Sequence, residues 1–205
     1  MSLYGILESQ TNTGLDSELM CVFSTPLSIL SNKPTFYGDT LSLRRKRSSS
    51  PAQRWEIETA VVPSNDNVSF LLHSVINGHS ESIYVRMPQM YSKAALDVNL
   101  SLTVASDTVA GTSTILLAGG ATIPRGEFIR FGNANHWKVY LVHESSINSI
   151  SIFPPLVSAV PQGTPIIFGS KVTMRAVYDM SVKTGVSFID GILSDPGSLQ
   201  LIEDF

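Results

Sequence analysis

Few residues in this chain have the types and spacing that chemistry needs. Four histidines stand at His73, His79, His136 and His143. A helical zinc site needs two of them four residues apart beside a glutamate, and no pair has that spacing. His73 falls beside an apolar helical stripe, where a hydrogen-bonded structural imidazole is expected. His136 and His143 sit at opposite ends of one expected strand, too far apart to share a metal ion. The carboxylate pairs are Asp16 with Glu18, Glu56 with Glu58, and Glu203 with Asp204. Glycoside hydrolysis needs two carboxylates facing each other across a gap, whereas Glu56 and Glu58 both point to the outer face of a single strand. Cys21 is the single cysteine, which excludes a disulfide within the chain and a cysteine-based zinc site. In the run Leu19-Met20-Cys21-Val22-Phe23 it reads as a small core residue. Gly119-Gly120 lacks the Gly-Lys-Ser/Thr that completes a phosphate loop. The expectation is a chain with no catalytic residue, no cofactor and no metal.

The one marked charge feature is Arg44-Arg45-Lys46-Arg47. Such a run could face nucleic-acid phosphates, stand as a solvated loop, or meet an acidic surface on another protomer. The formal net charge of −3 argues against global attraction to nucleic acid. We therefore nominate Arg44, Arg45, Lys46 and Arg47 as an inter-subunit contact, with Glu203 and Asp204 of the C-terminal tail as acidic counterparts.

The elements that must position these residues are mostly strands. In Arg54–Val62, Trp55, Ile57, Thr59 and Val61 fall on one face and mostly charged residues on the other. Leu41 and Leu43 alternate similarly ahead of the basic run, and Ser48-Ser49-Ser50-Pro51 reads as a loop. This predicts a hairpin over about 40–62 with a cationic tip. Val68, Leu71, Leu72, Val75 and Ile76 form a helical stripe, capped by Ser64 or Asn65 and ended by Gly78. A strand follows over Ser82–Met87. From about 91 to 172 short apolar runs alternate with turn signals such as Gly111, Gly119-Gly120, Gly132-Asn133 and Pro154-Pro155. Five or six short strands in that length predict a small barrel, because closure removes exposed edges. Longer strands return at Val172–Tyr178 and Val186–Asp190. The N-terminal block is short of strands and the last residues are too few to fold alone, so the two together predict one domain, 1–90 plus 173–205, interrupted by a barrel at 91–172.

With 205 residues the chain can bury a sizeable core. Hydrophobic residues make up 43% and charged residues 15%, against about 25% charged in ordinary soluble domains. A surface this poor in charge points to partners covering part of it. Early polar residues (Glu8, Ser9, Gln10) give no signal-peptide pattern, and no apolar stretch approaches the ~18 residues that span a bilayer. A protein that stays in the cytoplasm where it is made is expected, without membrane insertion.

The segment Pro124-Arg125-Gly126-Glu127-Phe128-Ile129-Arg130-Phe131-Gly132-Asn133, followed by His136-Trp137-Lys138-Val139-Tyr140-Leu141-Val142, resembles the barrel of siphophage distal tail proteins. Ile152-Phe153-Pro154-Pro155-Leu156 and Pro161-Gln162-Gly163-Thr164 resemble its close, and the order of elements is similar along nearly the whole chain. The resemblance implies a mainly β fold: a split β-sandwich or barrel-like ring domain with one helix, plus an inserted small OB-like β-barrel. It implies a structural virion protein, a homo-oligomeric ring (a hexamer) at the distal end of a tail tube. Its implied partners are the tail tube protein, the hub or tip protein and receptor-binding or side-fibre proteins. Two other readings share these features. One is a different tail-tube or baseplate adaptor or initiator of a sheathed tail, and the other is an OB-like module binding nucleic acid or carbohydrate.

Overall fold

Apolar residues recurring at every second position build this chain into strands, because such residues share one face of a pleated sheet. The computed structural model describes residues 6–8, 21–22, 27–39, 45–49, 52–60, 82–87, 101–120, 122–133, 136–179, 181, 187–190, 192–195 and 198–205. Among these residues the fold is mainly β. In chain order the strands are β1 (Ile6–Glu8), β2 (Cys21–Val22), β3 (Ser28–Asn32), β4 (Thr35–Asp39), β5 (Arg45–Ser49) and β6 (Arg54–Ala60). There follow β7 (Ile83–Arg86), β8 (Thr103–Val104), β9 (Thr114–Ala118), β10 (Phe128–Phe131), β11 (Val139–Ser146) and β12 (Ser149–Phe153). The last are β13 (Ile166–Phe168), β14 (Thr173–Tyr178), β15 (Ser187–Ile189), β16 (Ile192–Asp195) and β17 (Ser198–Glu203). The helix expected after Ser64, together with Leu41, Leu43, Arg44, His73, His79, Asp16 and Glu18, lies outside the described residues.

Seven strands form one antiparallel sheet in the order β2-β1-β7-β14-β17-β6-β3. They come from both ends of the chain, and β7 lies beside β14 with Tyr84 opposite Arg175. A second sheet, β13-β10-β11-β12-β9-β8, draws only on the stretch between them. It curls until β8 meets the approach to β13: Val104 N–H donates to the Thr164 carbonyl at 2.9 Å and Ile166 N–H to the Leu102 carbonyl at 2.8 Å. The result is a nearly closed six-stranded barrel. Gly126, in the turn before β10, has a φ of +91°, a conformation that glycine adopts without steric cost.

The packing follows the alternation. Ile115, Leu117, Ile129, Phe131, Tyr140, Val142, Ile150 and Ile152 fill the barrel. Phe128 and Val139, on the outer wall, instead join Trp55, Ile57, Val85, Met174, Ala176, Tyr178, Leu199 and Leu201 of the seven-stranded sheet. Phe128 and Phe131 thus face opposite ways, as their odd spacing predicts. The barrel wall covers the apolar face of the sheet. Trp55 binds this seam, edge-on to Phe128 at 5.4 Å and to Phe153 at 6.1 Å. Pairs of this kind contribute about 0.5–1.5 kcal/mol beyond the area they bury.

The hairpin predicted over 40–62 is not formed. β6 enters the seven-stranded sheet between β17 and β3, while β5 pairs with β4, from Thr35 opposite Ser49 to Asp39 opposite Arg45. The reason is burial. β6 carries Trp55, Ile57 and Thr59 for the core, whereas Arg45-Lys46-Arg47-Ser48-Ser49 has nothing apolar to bury. The basic residues 45–47 therefore lie along a strand of a separate two-stranded ribbon, not on a tip.

Candidate functional site

The enclosed polar residues gather in three clusters, along the seam between sheet and barrel and within the barrel. Lys138, just before β11, and Glu203, ending β17, are both fully enclosed and form an ion pair. Lys138 also donates to the Gln53 carbonyl at 2.7 Å. The Glu203 carboxylate accepts the N–H of Val139 at 2.8 Å and of Trp55 at 3.0 Å. Trp55 Nε1–H returns a bond to the Val139 carbonyl at 2.8 Å, and the Lys138 ammonium stands 4.2 Å from the Phe205 ring centre. Burial lowers the Lys138 pKa and raises that of Glu203, and each group draws the other back toward its charged form. A buried pair is tolerated when hydrogen bonds meet its other donors and lone pairs; here Lys138 also bonds Gln53 and faces the Phe205 ring, and Glu203 accepts two backbone N–H groups. The clamp ties β6, β11 and β17 together at one point.

This finding corrects the expectation for the C-terminal residues. Leu199, Leu201 and Glu203 share the buried face of β17, so Glu203 is committed inside the chain and is not offered to a second protomer. Asp204 is half-exposed and already bonded, accepting from Ser82 Oγ at 2.7 Å and pairing with Arg175 at 3.1 Å.

The second cluster is an imidazole relay. His136 is buried with Nε2 2.6 Å from Tyr140 Oη and Nδ1 2.7 Å from Ser158 Oγ. Tyr140 Oη accepts the Val157 N–H at 3.2 Å. Among the described residues its own proton has the His136 ring as acceptor. The network therefore assigns Nε2 as acceptor and Nδ1–H as donor to Ser158. Burial, aided by the nearby Arg130 charge, pulls His136 from its ordinary 6.5 to about 4. Burial likewise pushes Tyr140 up. A serine that accepts a hydrogen bond from the imidazole N–H has no base there to take its own proton, so this arrangement does not activate Ser158 as a nucleophile. His143 is exposed near a bulge in β11, apart from this cluster.

The third cluster surrounds Trp137. The Arg130 guanidinium lies 4.3 Å from its ring centre and that of Arg175 5.9 Å, with the Tyr84 ring at 5.2 Å. Phe128, Phe131 and Tyr140 are core residues, and Trp137 is stacked under arginine. None of the four aromatics that a nucleic-acid barrel could use for base stacking is free to do so. Among the described residues no three of His, Cys, Asp and Glu converge on a metal position, and Glu56 takes its bonds from Arg54 and Asn32.

The nominated cationic run is found on the β4–β5 ribbon. Arg45 pairs with Asp39 at 3.2 Å and covers the Tyr37 ring at 5.1 Å; Lys46 is exposed. Arg47 lies opposite Tyr37 in the register. Every residue of β4 is exposed, including Phe36 at 67% and Tyr37 at 71%. The sequence reading missed β4, and the signal was the Phe36-Tyr37 pair two residues past Lys33-Pro34. It also missed the seam clusters, whose residues stand close in sequence (His136, Trp137, Lys138, Tyr140) but whose partners do not. No protein-family model matches the chain, and no curated protein matches it.

Proposed function

We propose that this chain is a non-enzymatic structural protein that assembles into a ring, as the distal component of a bacteriophage tail tube. The observation that carries this reading is the β4–β5 ribbon. Phe36 and Tyr37, consecutive on β4 and each more than half exposed, put an aromatic ring on each face of the ribbon, and a partner would cover them. Among the described residues the ribbon has no third strand, and two strands alone are marginal. A neighbouring protomer would supply both a cover and an edge, and ring symmetry would repeat the contact until it closes. In this reading the ring is a homo-hexamer in the virion. It joins the tube protein to the hub, and the basic ribbon residues contribute to the contact between protomers.

Light scattering and negative-stain microscopy of the purified chain test the reading. A closed ring with a central hole is expected, dispersing when Phe36 and Tyr37 are both replaced by serine. A species that stays monomeric at high concentration, with or without those substitutions, would remove the support that the ribbon gives.

A further inference from the structure

Independently of any ring, we infer that the seam between sheet and barrel holds a small oxyanion on the Arg130 guanidinium. Arg45, Arg54 and Arg175 each face a carboxylate, Asp39, Glu56 and Asp204 respectively. Arg130 faces none among the described residues, and its Nε is sequestered from solvent without an acceptor. Arginine keeps its charge and presents five N–H donors in a fixed plane. Stacking on Trp137 at 4.3 Å occupies a face of that plane and leaves the N–H edge to find its own partner. A half-buried charged donor without an acceptor is a standing cost, which an oxyanion meeting that edge would remove through two charge-assisted bonds.

The surroundings favour a negative ligand. Arg175 brings a second guanidinium beside the same indole. Tyr84 and Arg86 lie two apart on β7, hence on one face of the sheet, and Arg175 is opposite Tyr84 in register. Two arginines, Arg130 and Arg175, thus border the site, with Asp204 as the neighbouring acid bonded to Arg175. His136 adds no charge while neutral and accepts no anion, because its Nδ1–H is already given to Ser158.

The test is a tryptophan-fluorescence titration of the full chain with inorganic phosphate, sulfate and acetate, at ionic strength held constant with sodium chloride. Saturable responses are expected from at least one oxyanion. Arg130→Gln should weaken binding at least tenfold, and Trp137→Phe should remove most of the optical signal. A tetrahedral preference would assign a phosphate- or sulfate-bearing ligand, and an acetate preference a carboxylate. If Arg130→Gln fails to fold, Arg130→Lys keeps the charge but loses the two-pronged edge and should still weaken binding severalfold. A response equal to that of chloride, or unchanged in the folded Arg130 variant, overturns the inference.

Discussion

Lowering the pH should destabilise this protein through one imidazole. His136 is 2% exposed and held neutral by burial, with a pKa of about 4 against an ordinary 6.5. Well above pH 6.5 the ring is neutral in both folded and unfolded chains and adds no pH dependence. As pH falls below that, the unfolded chain takes up a proton that the native state refuses, so stability drops. The loss levels off below the folded value, where both states carry the proton. At about 1.4 kcal/mol per pH unit the full penalty is about 3 kcal/mol, of which about 2 kcal/mol is already lost near pH 5. Carboxylates elsewhere also respond to acid, so the quantity to measure is a difference. Urea unfolding of the wild type and of His136→Gln, each at pH of about 7.5 and 5 and fixed ionic strength, isolates it. The wild type should lose about 2 kcal/mol more than the variant over that interval. Equal losses would refute the reasoning, as would imidazole NMR resonances that titrate near the ordinary value.

Other outcomes follow from the same geometry. Lys138→Met leaves the Glu203 carboxylate enclosed without its cation and should cost about 3–5 kcal/mol in denaturant unfolding, with Lys138→Met/Glu203→Gln recovering part of the loss. A single-variant loss near zero would show the pair to be idle. Gly119 has a φ of +124°, and a Cβ there would stand 2.9 Å from Leu102 Cδ2 and 3.0 Å from the Ser101 carbonyl. Gly119→Ala should therefore cost about 1–3 kcal/mol, read as a lower thermal midpoint. Replacing Phe36 and Tyr37 by serine should change unfolding stability by no more than about 0.5 kcal/mol each while lowering the assembled mass, which scattering measures directly.

Much of the fold is legible in the sequence, because strand patterning is a local property. Trp55, Ile57 and Thr59 on β6, Met174, Ala176 and Tyr178 on β14, and the opposed faces of Phe128 and Phe131 all follow from a period of two. The crowding of short strands between turn signals such as Gly119-Gly120 and Gly132-Asn133 likewise foretells the barrel-like sheet. The same rule, carried to the C-terminus, would have placed Glu203 inward with Leu199 and Leu201. The last strand expected from the sequence is Val186–Asp190, so β17 goes unread and Glu203 and Asp204 are assigned to a contact with another protomer.

What alternation leaves open is which strands become neighbours, and that depends on contacts far apart in the chain. The basic residues Arg45 and Lys46 are expected on a hairpin tip and lie on a strand, β5. The competition for core positions, which β6 wins with three buried side chains, decides it. Lys138 meets Glu203 across 65 residues, and Trp55 meets Val139 across 84. His136 owes its neutrality to burial inside the nearly closed barrel and to the nearby Arg130 charge, while Tyr140 and Ser158 occupy its two ring nitrogens. The sequence by itself determined the strands that alternate apolar and polar residues, such as β6 and β14, and which of their faces are apolar, since each residue's neighbours two positions away suffice for that. Tertiary structure alone decided where the polar groups find partners, because a buried charge is stabilised by whatever the fold places against it, however distant in the chain.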